Sequence, residues 1–222
     1  MPDATARSPI HEWFQRRQPV WKNVHGTPLA VQLQSSEEER TALDLLALCD
    51  MSALQKLGIR GGQAEHFIAD RGIGVPTSIY ESQRLTDDGL IVRLAADEFI
   101  LESGISGEML TNLSADLVSA DGQVFRVERQ EATFLLTGSR ATELLAQTCS
   151  INFREAAMNQ LMLTRMAGVN CGILPETAGN RNIYRFWVDY TYAAWLWSTM
   201  AEIAQDLGGC VVGAGCLYPE LY

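Results

Sequence analysis

The residue types able to do chemistry are thinly spread along this chain. A metal site needs clustered His, Cys, Asp or Glu, but the three histidines, His11, His25 and His66, lie far apart with no H-x-x-x-H spacing. The five cysteines, Cys49, Cys149, Cys171, Cys210 and Cys216, contain no C-x-x-C pair. Their odd number argues against a disulfide scaffold, and their spacing against a zinc knuckle. A buried thiol packs as a small apolar residue. Asp87-Asp88 stand at a predicted turn before Gly89-Leu90-Ile91-Val92. A carboxylate pair there can bind a cationic or amine-bearing ligand, while Asp is also an ordinary turn residue. Tyr184, Phe186, Trp187, Tyr190, Tyr192, Trp195 and Trp197 crowd one segment. Such rings can stack on a planar cofactor, and they also build cores and interfaces. Gly61-Gly62 fits neither G-x-x-x-x-G-K-[ST] nor G-x-G-x-x-G, so it is no phosphate cradle.

The elements that must hold these residues alternate in blocks. Ser8-Pro9 reads as a helix start, followed by a short helix through Ile10, Trp13 and Phe14. Strand-like stretches flank the turn at His25–Pro28. "SSEEERTALDLLALC" opens with serine caps and acids suited to a helix N-terminus. Its apolar positions 42, 43, 45, 46 and 48 make one helical face. "LQKLGIRG" alternates as a half-buried strand, Gly61-Gly62 turns the chain, and "QAEHFIADRG" is a short helix ending at Gly72. "GLIVRLAADEFILES" is a hairpin, and "GEMLTNLSADLVSA" a helix stopped at Asp121-Gly122. "QVFRVERQEATFLLTG" is one bent strand or two. "SRATELLAQTC" is a helix capped by Ser139, and "QLMLTRMAGVNCGILPE" a hairpin turning near Ala167-Gly168. "NIYRFWVDY" is a strand, and "YAAWLWSTMAEIAQDLGG" a helix with Gly208 near its end. Strand and helix blocks with hairpins between them predict an α+β fold with mixed and antiparallel sheets, not a doubly wound parallel one. Two such blocks predict two packed α+β subdomains, one of about residues 1–50 plus 123–222 and the other about 51–122.

Composition narrows the function. With 47% hydrophobic and 20% charged residues among 222, the chain has enough apolar residues for an ordinary core. The net charge of −10 gives no basic footprint for nucleic acid or for an anionic membrane surface. Lys22 and Lys56 are the only lysines, and Arg is the better partner for carboxylates and interfaces. The first residues hold no apolar signal-like region, and no apolar run is long enough to span a bilayer. A soluble, reduced, cytoplasmic protein is expected.

Several segments together resemble the folate-binding family of the glycine-cleavage T-protein. "SPIHEWFQRRQPVWKNVHGTPLAVQL" is similar to that family's opening helix and strand. "EEERTALDLLALCDMSALQKLGIRGGQAEHFI" resembles its D-x-S-x-x-x-x-[LI]-x-[VI]-x-G-P-x-A-x-x-[FL]-[LI] segment, with Asp50, Ser52, Gly61, Ala64, Phe67 and Ile68 on the pattern and Gly62 replacing the Pro. "ATFLLTGSRATELLAQ" resembles L-x-G-P-x-A-x-x-[VL]-L. "LTRMAGVNCGIL" and "YRFWVDYTYAAWLWSTMAEIAQDLGG" resemble the later strands and helix. The departures are informative. Gly89 occupies the place of the family's acid before its "LIV", and Asp88 is displaced by one residue. Arg165 matches the Arg of the R-x-G-Y-T-G-E loop, and Glu176 stands nearest its acid. The family's C-terminal barrel has no counterpart here.

Among relatives, the resemblance is nearest to the gamma subunit of heterotetrameric sarcosine oxidase and related N-methyl amine dehydrogenases. It implies a mainly structural subunit docked beside larger flavin-containing oxidase subunits, next to a site passing a one-carbon unit to tetrahydrofolate, with no cofactor held tightly by this chain. Trp187, Trp195 and Trp197 are then core or interface anchors, and self-association is the other partner expectation. The alternative is a stand-alone short aminomethyltransferase that binds tetrahydrofolate. Asp88 would be its catalytic carboxylate, with Arg165, Glu176 and Tyr184 as ligand contacts.

Overall fold

A computed structural model describes residues 6–119 and 122–222. Helix α1 (His11–Gln15) buries Phe14. Strands β1 (Val20–Val24) and β2 (Thr27–Gln32) form an antiparallel hairpin. Its two turn residues, His25 and Gly26, both take positive φ, 50° and 81°, the twist that suits a two-residue hairpin loop. Helix α2 (Ser36–Leu45) begins with a capping box: Ser35 Oγ accepts from the Glu38 amide, and the Glu38 carboxylate accepts from the Ser35 amide. The sequence reading carries this helix on to Cys49. The chain instead becomes extended at Leu46, φ −167°, and Ala47–Asp50 form strand β3. Strand β4 (Lys56–Arg60) leads through Gly61, φ 133°, to helix α3 (Ala64–Ala69). Strands β5 (Ser82–Arg84), β6 (Leu90–Ala95) and β7 (Glu98–Glu102) follow, then helix α4 (Met109–Val118). Of the stop predicted at Asp121-Gly122, Asp121 lies outside the described residues.

The stretch predicted as one bent strand or two is two, β8 (Phe125–Val127) and β9 (Glu131–Thr137), in different sheets. Helix α5 (Ala141–Thr148) has Arg140 at its cap position with no side-chain cap. The expected cap, Ser139, instead donates its amide to the Asp44 carbonyl at 3.0 Å. Strands β10 (Met162–Met166), β11 (Val169–Ala178) and β12 (Arg181–Asp189) form a meander. Asp189 then caps helix α6 (Tyr190–Asp206), its Oδ1 accepting from the Thr191 amide at 2.8 Å. Strand β13 (Cys210–Val212) and two 3-10 turns at Ala214–Cys216 and Pro219–Leu221 complete the chain.

The architecture is α+β. A six-stranded sheet runs β10-β11-β12-β9-β3-β13, antiparallel throughout except for the parallel β3–β13 pair. A five-stranded antiparallel sheet runs β5-β6-β7-β4-β8. The chain divides into two compact units. The first takes the chain through Ala53, Glu131–Met158 and Met162–Tyr222; the second takes Leu54–Gln130 and Asn159–Leu161. Because β8 pairs with β4, it belongs to the second unit, and the later boundary falls after Gln130 instead of at 122/123.

In the first unit, Leu48, Leu136, Phe186 and Ile173 from the sheet join Leu144 and Leu145 of α5 and Leu196, Trp197 and Met200 of α6 in one buried cluster. In the second, Ile59, Ile91, Phe99 and Leu101 pack with Phe67 and Ile68 of α3 and Leu110 and Leu113 of α4. Each such side chain contributes roughly 1.5–3 kcal/mol of burial.

Candidate functional site

Side chains alternate across a strand, so β12 presents Tyr184, Phe186 and Val188 to one face and Arg185 and Trp187 to the other. The register places Glu176 opposite Ile183 and Leu174 opposite Arg185. Glu176 and Arg185 are therefore diagonal neighbours on one face. Arg185 Nε and Nη2 both donate to Glu176 Oε1, at 2.9 and 2.7 Å, and each residue is only 2% exposed. Charges this deep hold their place only when paired. The acid nearest the loop acid of the resemblance is thus engaged by a guanidinium of its own sheet. The sequence reading missed Arg185. Its one local signal is a lone charge between Tyr184 and Phe186 in an otherwise apolar strand.

Tyr184 lies on the opposite, helix-covered face, edge-on to Phe153 at 5.7 Å. Burial pushes its hydroxyl pKa up, so it stays a neutral phenol. Arg165 is exposed on β10 and donates from Nη2 to the Gly168 carbonyl at 2.8 Å. It staples the Ala167-Gly168 turn, where both residues take positive φ, 48° and 86°. Arg165, Glu176 and Tyr184 therefore share no surface: one closes a hairpin, one is paired on one face of the sheet, and one packs on the other.

Asp88 belongs to the second unit. It is exposed in the β5–β6 turn at φ 60°. Its amide donates to the Leu85 carbonyl at 3.2 Å, and its own carbonyl accepts from Arg84 Nη1 at 2.9 Å. This is turn chemistry. Its neighbour Asp87 is the more enclosed carboxylate. Asp87 Oδ1 accepts from the Gly89 amide at 3.1 Å, and Oδ2 is buried without a hydrogen-bond partner. Gly104 and Gly107 make room for it: a Cβ on Gly104 would meet the Asp87 carbonyl, and one on Gly107 would come within 3.0 Å of its side chain.

The three tryptophans separate by depth. Trp197 is fully buried, its ring centre 4.9 Å from that of Phe134 and 5.5 Å from those of Trp13 and Phe14. It is a core residue of its own unit and not an exposed anchor. Trp187 is also buried. Trp195 alone is exposed, its Nε1 donating to the Ala167 carbonyl at 3.2 Å. Among the described residues no group of three or more His, Cys, Asp or Glu can hold a metal ion. No helix there is long and apolar enough to cross a membrane.

No family model matches the sequence, and no curated protein matches it. Solved structures do. The glycine cleavage system aminomethyltransferase T from Bartonella henselae aligns with a TM-score of 0.74 at 16% identity, over 96% of this chain and 61% of that one. This chain therefore spans 61% of the length of that relative. A chain of the heterotetrameric sarcosine oxidase from Corynebacterium sp. U-96, solved in complex with pyrrole 2-carboxylate, aligns with a TM-score of 0.61 at 19% identity, over 80% of this chain and 95% of that one. At these identities the similarity establishes the fold: this chain has the α+β fold found in glycine-cleavage aminomethyltransferase T and in a chain of heterotetrameric sarcosine oxidase.

Proposed function

We propose that this chain is a mainly structural, gamma-like subunit of a cytoplasmic, heteromeric oxidase or dehydrogenase of sarcosine or a related N-methyl amine. It stands beside larger flavin-containing subunits, next to a site where the one-carbon unit passes to tetrahydrofolate. The observation that carries this reading is the Glu176–Arg185 pair, buried and mutually neutralised. A carboxylate that orients folate nitrogens must present a free oxygen to the ligand, and this one is spoken for by Arg185. The near-complete overlap with a sarcosine oxidase chain, 95% of its length, agrees with it. Reconstitution tests the reading. The chain, co-expressed with the flavin-bearing amine oxidase subunits of its own genome, should co-elute with flavin absorbance as one complex. A chain that elutes alone from every such mixture overturns it.

A second reading, a short tetrahydrofolate-dependent aminomethyltransferase, has one observation in its favour. The Asp87 Oδ2 is buried and unpartnered beside Asp88 at the entrance to β6. Aminomethyl transfer by the purified chain that Asp88→Asn or Asp87→Asn abolishes would establish it.

A further inference from the structure

Helix α6 carries an aromatic ridge that its own unit leaves uncovered. Tyr190 is 47% exposed, Tyr192 55% and Trp195 62%, while Ala193, Leu196, Trp197 and Met200 of the same helix are buried. Tyr192 and Trp195 lie three residues apart, so they are neighbours on one helical face. Two of the three rings are already pinned. Trp195 Nε1 donates to the Ala167 carbonyl at 3.2 Å, and the Tyr190 hydroxyl donates to the Arg7 carbonyl at 3.1 Å. Rings held in place before contact lose little side-chain freedom on binding, and Trp and Tyr are the residues enriched at binding hot spots. The far flank of the same helix borders a groove of about 580 Å³, with Trp13, Leu33 and Val211 along its apolar wall and Ala201 and Glu202 contributed by α6. A ridge and a groove on one helix form a shaped surface larger than a scattered apolar residue.

Charge selects the occupant. Helix α6 contains Glu202 and Asp206 and no Lys or Arg. The cation of the groove, Arg17, is held on its own helix. Its guanidinium lies 3.4 Å from the centre of the Trp13 ring and donates to the Trp13 carbonyl at 2.9 Å. A second copy would bring another acidic helix and another net charge of −10 to this face, which repels. We infer that the exposed face of α6 is the docking surface for a different protein, one presenting an apolar slot for Trp195 and Tyr192 rimmed by Lys and Arg. The inference rests on the reading of the chain as a docking subunit and names which surface docks.

The test uses the full chain, co-expressed with the flavin-bearing amine oxidase subunits of its own genome, and a Tyr192→Ser/Trp195→Ser double variant. Both substituted residues are exposed, so the thermal midpoint of the free chain should be unchanged. Leu163→Ser, equally exposed on β10, controls for loss of apolar surface alone. The double variant is expected to bind at least tenfold more weakly while Leu163→Ser binds as wild type, and wild-type binding should weaken as salt is raised. If wild type and the double variant bind equally, the surface assignment is overturned and the subunit reading stands. If wild type recovers no flavin-bearing subunit, the subunit reading falls and takes this surface with it. If wild type alone dimerises and the double variant does not, the occupant is a second copy and the inference is wrong.

Discussion

At the scale of single residues, burial governs this molecule more than reactivity does. Glu176 and Arg185 show it first. Removing one charge leaves the other desolvated without its partner, which costs about 3–5 kcal/mol, whereas replacing both with apolar residues of similar size is often neutral. Glu176→Gln should therefore lower the unfolding free energy by about that amount, read from urea midpoints. Glu176→Leu combined with Arg185→Met should recover most of the loss. A single variant as stable as wild type would mean that the pair is not desolvated. The thiols follow the same rule. Burial, and then Cys149, push Cys171 up from 9.0 to about 12. Burial, and then Glu39, push Cys216 up to about 12. A raised pKa means that the fold favours the protonated thiol. The stability this supplies is whole below pH 9.0, the unfolded value, and is lost as the pH climbs towards about 12. Unfolding free energy measured across that window should fall with pH, and Cys171→Ala should make the fall shallower. An identical slope in the variant would refute the assignment.

At the scale of elements, the informative place is the end of α2. Local sequence gives no reason for a helix to stop at Leu45, since "LDLLALC" keeps helical periodicity and contains neither Gly nor Pro. The reasons are distant in sequence. Strand β3 finds β9 on one side and β13 on the other. The backbone at the break is approached by two glycines, with a Cβ on Gly138 falling 2.5 Å from the Leu45 carbonyl oxygen and one on Gly209 2.5 Å from that of Leu46. Gly138 also sits at φ 112°. Gly138→Ala should cost about 1–3 kcal/mol or more by thermal unfolding, from strain at that φ together with the clash. Gly179→Ala, at φ 61° with no atom within 4 Å of its Cβ, should cost only about 1 kcal/mol. Equal losses would mean that the close approach to Leu45 is unimportant.

The same contrast explains what the sequence made legible. The β1–β2 and β10–β11 hairpins were readable because their turns are local, with His25-Gly26 and Ala167-Gly168 at positive φ. The capping box at Ser35 was local too. Strands β3, β5 and β13, of four, three and three residues, are too short for alternation to register and exist through their partners. The site divides in the same way. Arg165, Glu176 and Tyr184 could be marked by resemblance, but that Glu176 meets Arg185 depends on the β11–β12 register, which no local pattern encodes.

At the scale of the whole molecule, the residues that would handle folate are divided between the units. Asp88 belongs to the second, and Arg165, Glu176 and Tyr184 to the first. Within the first unit they do not converge, since two are committed to internal hydrogen bonds and the third is core. Folate carries carboxylates, and a chain of net charge −10 offers it no long-range attraction. Tight binding would need compensating local cations, and the two expected near the acid, Arg165 and Arg185, are bonded to Gly168 and Glu176. Calorimetry of tetrahydrofolate into the isolated chain should therefore give no binding heat, and the assembled complex with its flavin-bearing partners should bind it. The two titrations together discriminate the readings. Heat from the complex but not from the chain places the ligand site in the partner and leaves this fold the work of docking. Micromolar binding to the isolated chain, lost in Asp87→Asn, would instead show that the carboxylate enclosed by Gly104 and Gly107 holds a ligand nitrogen, and the transferase reading would replace the structural one.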